Sequence, residues 1–201
     1  LLGNGSMEKE GRFLMNKGLD VSPWIFWPRK PMLLEKLLKN NPILDYDERQ
    51  ISSIFIGNYE NNIQKDYRKS KDWSVEIEEF HCTAGGNHKF TPEEYLMKLR
   101  GSKFGLCLRG YGSKCHREVE LMSMGTVPIV TPNVSIKDYA NPPLENVHYI
   151  KVNSPLEIAN KINSISKEKW ESMSRNCHNW YMENVHSSST WNTTLKILFY
   201  N

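Results

Sequence analysis

Ser102 to Val130 reads SKFGLCLRGYGSKCHREVELMSMGTVPIV. KFGLCL is an apolar run of strand length, and RGYGSK is a glycine-bearing basic loop. HREVELMSM has helical spacing of its apolar residues and stops at Gly125, a good helix terminator. TVPIV is a second short apolar run. Strand, loop, helix, strand is one unit of a parallel sheet with its crossover helix.

The same alternation extends on both sides. Upstream, ISSIFIG from Ile51 reads as a buried strand ending at Gly57, ENNIQKDYRKSK as a polar helix, and VEIEEF as an alternating strand. Thr91-Pro92-Glu93-Glu94 then opens a helix with a capping-box pattern and proline in its first turn. Downstream, VHYIKV reads as a strand, and Ser154-Pro155-Leu156-Glu157 repeats the capped opening. From about 155 to 200 the pattern gives two or three helices, with Trp170, Trp180 and Trp191 on their apolar faces. The expected class is α/β: a Rossmann-like parallel sheet with helices on both faces. VSPWIFWPRKP, Val21 to Pro31, holds too many prolines for a regular element, and MLLEKLLKN after it is a short helix ended by Asn-Asn-Pro. The polar stretch Asp45 to Gln50 divides an N-terminal arm, 1–50, from the main domain, 51–201.

Composition narrows the classes. The chain has 201 residues, 39% of them hydrophobic, and a net charge of +3. That excludes a disordered, collagen-like or polybasic chain, and a sizeable core is affordable. No run of about 18 apolar residues exists, so no membrane span is expected. Four cysteines, Cys82, Cys107, Cys115 and Cys177, are too few and too scattered for a disulfide framework and read as thiols. Zinc finds no support in His81-Cys82 or Cys115-His116, because neighbours on a strand face opposite ways and no C-x-x-C or H-x-x-x-H spacing occurs. Nucleic-acid binding lacks its platform of basic residues interleaved with aromatics. The compartment, cytoplasm or Golgi lumen, stays open.

Charge is concentrated locally. Leu96 to Glu118 carries Lys98, Arg100, Lys103, Arg109, Lys114 and Arg117 against one acid, Glu118. Gly110 and Gly112 let the backbone approach a ligand, and a helix starting near Ser113 or Lys114 aims free N–H groups at an anion. In parallel α/β sheets ligands bind in loops at the carboxyl ends of strands, here Gly57-Asn58-Tyr59 and Arg109 to Arg117. His116 is placed to donate to a phosphate oxygen, and Tyr111, Gly57 and Asn58 to contact a base or sugar. Arg117 and Glu120, three apart, share a helix face: the arginine for a diphosphate, the carboxylate for the vicinal hydroxyls of a ribose. The residues alone equally allow a solvated basic loop and an Arg117–Glu120 ion pair. Neither a Walker motif nor G-x-G-x-x-G is present, which argues against P-loop hydrolysis and dinucleotide redox chemistry. HCTAGGNHK, His81 to Lys89, is a Gly-Gly loop that either lines the cleft or lies on the surface.

The stretch Ser102 to Val130 resembles the donor-binding motif of exostosin-like glycosyltransferases, enzymes of the GT-B group. Ser102-Lys103-Phe104, Cys107, Arg109-Gly110, Arg117, Glu120, Gly125 and Pro128 fall in register with it. Leu108 stands where the family has proline, and Leu121 where it has alanine. The resemblance implies transfer of a sugar from a nucleoside diphosphate sugar to an acceptor hydroxyl on a glycan or other partner. Glu120 would bind ribose, and Arg109, Gly110, Gly112, Lys114, His116 and Arg117 the diphosphate, with no metal or other cofactor. It also implies a second domain that carries the acceptor site and the base, so these residues form one GT-B half and name no catalytic group. A fucosyltransferase-like member of the fold, or a non-catalytic nucleotide-sugar binding module, are the other expectations.

Overall fold

The computed structural model describes residues 2–3, 9–19, 22–23, 25, 27–59, 66, 68–69, 71–83, 89–139 and 141–199. Leu2–Gly3 (β1) pairs in parallel with Ser22–Pro23 (β2), and Lys9–Asn16 (α1) lies between them. Neither α1 nor this pairing was expected from the sequence. The expected helix in the arm is present as Pro31–Asn40 (α2).

Five parallel strands form the main sheet: Ile51–Gly57 (β3), Glu79–Cys82 (β4), Ser102–Cys107 (β5), Val127–Val130 (β6) and Ile150–Lys151 (β7). Their order is β4-β3-β5-β6-β7. Because the chain steps to one side of β3 and then returns to the other, the segments after β3 and β5 leave toward opposite faces. Between them lies the topological switch point, where such sheets bind ligands.

Alternation along the central strands feeds two cores. Ile54, Ile56, Cys107 and Val130 face a cluster with Leu34, Leu99, Val119, Met122 and Tyr181. Phe55, Phe104, Leu106 and Ile129 face the other, with Ile158, Trp170 and Met173. The first face is covered by α2, Pro92–Arg100 (α3), His116–Ser123 (α4) and Lys167–Asn184 (α6). Glu157–Asn163 (α5) and the start of α6 cover the second, and Thr190–Phe199 (α7) ends the chain's helices. The α/β class is therefore as expected, with seven α-helices among the described residues. None of those helices is long and apolar enough to cross a membrane.

Local signals explain the elements that matter most. Thr91 Oγ1 accepts the Glu94 N–H at 3.2 Å and Glu94 Oε2 accepts the Thr91 N–H at 2.8 Å, closing the expected capping box of α3. After α4, Gly125 takes φ 66°, which only glycine adopts freely, and turns the chain into β6. Gly105 lets α4 sit close on β5: a Cβ there would lie 2.2 Å from Leu121 Cδ2. At the opposite end of the sheet Arg49, buried, donates to the carbonyls of Leu44, Ser102 and Met124, which ties the 45–50 stretch to β5 and β6.

Some expected boundaries move. VEIEEF is not a strand throughout, because Trp73 to Glu76 form a turn and pairing starts at Glu79. Asp72 Oδ1 accepts the Ser74 N–H at 3.2 Å, and this local bond competes with extension. VHYIKV contributes only Ile150–Lys151. α4 starts at His116, after the N-cap Cys115, rather than near Ser113, and α5 at Glu157 without a side-chain cap bond. Trp170 and Trp180 are buried, whereas Trp191 is 67% exposed because it faces outward from α7. Most of the helix expected over 60–71, and residues 84–88 of the Gly-Gly loop, lie outside the described residues.

Gly105→Ala is expected to destabilise the protein by about 2 kcal/mol, since the fully buried Leu121 must move. Urea unfolding measures this, and an unchanged midpoint would contradict the close α4–β5 packing.

Candidate functional site

At the carboxyl ends of β3 and β5 two basic side chains converge. Arg117, on the first turn of α4, is 8% exposed. Its Nη2 donates to the Ile56 carbonyl at 2.8 Å, and the guanidinium lies 4.5 Å from the centre of the Phe55 ring. Gly57 makes this possible, because a Cβ there would sit 2.2 Å from Nη2. Arg117 Nε and Nη1 are buried with no hydrogen-bond partner among the described residues.

Arg68 completes the group. It is 4% exposed, its Nε donates to the Arg109 carbonyl at 2.7 Å, and its Nη1 donates to the Asn58 carbonyl. One side chain thus fastens the loop after β3 to the loop after β5. Burial, with the Arg117 charge beside it, lowers the Arg68 pKa to about 10. The buried carboxylate in this region is Glu118, whose Oε2 caps α4 by accepting the Cys115 N–H at 2.7 Å. Glu118 Oε1 has no partner among the described residues, and burial pushes the pKa up to about 7 despite Arg117. Near neutral pH the two guanidiniums are therefore only partly balanced. A buried guanidinium with two donors unfilled among the described residues, beside a second buried cation and at a helix N-terminus, suits an anion with several oxygens.

The expected site residues fall into three groups. Asn58 and Arg109 are brought together by Arg68, Arg117 lies over Gly57, and Gly110 is buried. Gly112 is half-buried and Tyr111 is 61% exposed. Lys114 is buried instead with its Nζ 5.1 Å from the Tyr139 ring centre, and the Ser113 carbonyl accepts the Ser135 N–H at 2.9 Å. His116 Nδ1 meets the Trp27 carbonyl of the arm.

Glu120 lies one turn deeper in α4, 2% exposed. It pairs with Arg29 of the arm rather than with Arg117. Glu120 Oε1 accepts the Arg29 N–H at 2.8 Å and Nε at 3.2 Å, while Oε2 accepts Nη2 at 3.0 Å and the Tyr95 hydroxyl at 2.8 Å. Burial alone would raise the Glu120 pKa, but the Arg29 charge and these hydrogen bonds hold it below the usual carboxylate range. Beside it opens a cavity of about 220 Å³ lined by Pro28, Leu34, Ile56, Phe90, Tyr95 and Leu96. It reaches Glu120 and Arg29, and none of its lining residues belongs to the Arg109–Arg117 loop.

Arg68, Arg29 and Tyr95 escaped the sequence reading. Arg68 stands in a polar stretch without periodicity, and Arg29 between Pro28 and Pro31 in a segment set aside as irregular. The two prolines fixing the backbone around a cation were the available signal.

Cys115 and Cys107 are poorly suited as nucleophiles: burial pushes Cys115 up to about 12 and Cys107 well above the ordinary thiol value. All four cysteines are free. Among the described residues no group of three or more His, Cys, Asp or Glu is placed to share a metal ion. Fold and site together define a class, a parallel α/β domain with buried cations at its switch point. No family model matches the chain, and no curated protein matches it in sequence.

A pH test follows from Glu118. Its folded pKa of about 7 exceeds the ordinary 4.5, so the folded protein keeps a proton that the unfolded chain releases. That contribution is complete below pH 4.5 and is lost as pH rises through 7. Relative to Glu118→Gln, which retains an acceptor for the Cys115 N–H, the wild type should lose about 3 kcal/mol between pH 5 and 8. Equal slopes for the two proteins in urea unfolding would show that Glu118 is not buried as described.

Proposed function

We propose that this chain is the donor-binding half of a GT-B glycosyltransferase of the exostosin-like type. It binds a nucleoside diphosphate sugar, whose sugar passes to an acceptor hydroxyl. The observation that carries this reading is Arg117: a buried guanidinium with two unfilled donors, at the first turn of the helix that follows β5, beside a second buried arginine. The motif resemblance over Ser102 to Val130 supplies the chemistry that such an anion site would serve.

When the bond to the sugar breaks, negative charge grows on the departing diphosphate. Arg117, Arg109 and the N–H groups at the start of α4 stabilise that charge from fixed positions, and Arg68 holds the two loops in place. Protein cations do here what a divalent ion does in other transferases. Glu120 takes the ribose hydroxyls, and Tyr111 covers the base or sugar. In this reading the acceptor and its base belong to a second domain. A second reading, a binding module without turnover, is favoured by the occupation of Glu120 by Arg29. Product formation by the protein joined to its acceptor half separates the two.

Thermal shift against UDP, GDP, ADP and CMP and their sugars tests the binding. One nucleotide class should raise the melting temperature in proportion to RT ln(1+[L]/Kd), and a GDP preference would favour the fucosyltransferase-like reading. Arg117→Met should abolish the shift while costing the unliganded protein less than about 1 kcal/mol, because it removes a charge buried without full pairing. No shift with any nucleotide contradicts the proposal, as does an Arg117→Met protein that binds normally.

A further inference from the structure

The segment Trp27–Lys30 touches both ends of the site at once. The Trp27 carbonyl meets His116 at the N-terminus of α4, and Arg29 holds Glu120 one turn deeper. Residues expected to serve the diphosphate and the ribose are thus engaged by the same four residues of the arm. A carboxylate offers about four acceptor positions. At Glu120 the Arg29 N–H, Nε and Nη2 and the Tyr95 hydroxyl fill them. The Arg29 guanidinium also stacks 4.7 Å from the Tyr95 ring centre, closing that side of the cavity. A ribose has two vicinal hydroxyls to donate, and neither finds a vacant acceptor while Arg29 stays.

We propose that Trp27–Lys30 is a strap that keeps the ribose-binding carboxylate closed, and that a nucleoside diphosphate binds by displacing Arg29 from Glu120. The inference rests on the donor-binding reading above. The strap is built to release. The Arg29 side chain is 40% exposed although Glu120 is 2% exposed, so part of the strap's arginine reaches water while the carboxylate remains in the wall of the cavity. Nucleotide affinity is reduced by the fraction of molecules whose strap is closed, and removing the guanidinium removes that reduction.

Titration calorimetry of wild type, Arg29→Ala and Arg29→Lys with UDP, GDP, ADP and inorganic pyrophosphate tests this, alongside thermal unfolding without ligand. Arg29→Ala should melt lower, because Glu120 loses its partner, yet bind its nucleoside diphosphate at least about tenfold more tightly. Pyrophosphate, which lacks ribose, should bind both proteins within about twofold. Arg29→Lys keeps the charge but not the fork, so its affinity should fall between the two; it carries the comparison if the alanine variant does not fold. A nucleotide that binds wild type as tightly as the variants, or more tightly, shows that Arg29 is only a structural anchor and overturns the strap while leaving the donor site intact. Absence of nucleotide binding in all three proteins overturns the donor site, and the strap with it.

Discussion

A single guanidinium laid across the end of β3 constrains everything around the cleft. Arg117 reaches the Ile56 carbonyl only because residue 57 has no side chain, and only because α4 lies close enough on β5 to present it. That closeness in turn depends on Gly105. Desolvating an arginine costs several kcal/mol unless its donors are filled, and here two nitrogens have no partner among the described residues. Arg68 adds a second buried cation nearby, and Glu118 is only partly ionised near neutral pH. Local instability held at one place by a well-packed surround is typical of sites that await a ligand. It sits where the strand order of this sheet places one.

The cleft and the arm bear opposite relations to that charge. Among the described residues of the cleft the cations exceed the anions, whereas at Glu120 an arginine of the arm restores neutrality and, with the Tyr95 hydroxyl, fills every acceptor. In the proposed donor site the diphosphate half is thus poised and the ribose half is shut. Arm residues Leu34 and Leu37 share an apolar cluster with Leu96, Leu99 and Val119, so the strap springs from a base fixed in the core.

Much of the fold was legible because its signals are local. Apolar runs of strand length, the Thr91–Glu94 box and the glycine after α4 each specify structure within a few residues, and each is realised. VEIEEF misled because its alternation is real but a side-chain bond from Asp72 turns the backbone first. At the site, Arg109, Arg117 and Glu120 stood out through charge density and helical spacing. Their decisive partners did not, since Arg68 meets Arg109 across 41 residues and Arg29 meets Glu120 across 91. Such contacts are made by topology, and no short window contains them. The burial of Lys114 against Tyr139 was hidden for the same reason.

Hydrogen–deuterium exchange with and without a saturating nucleoside diphosphate reads the central claim most directly. Amides of 110–117 should gain protection as the ligand fills the cationic cleft, while those of 27–30 lose it. Unchanged exchange over 110–117, with protection appearing elsewhere, would contradict an anion site at the start of α4.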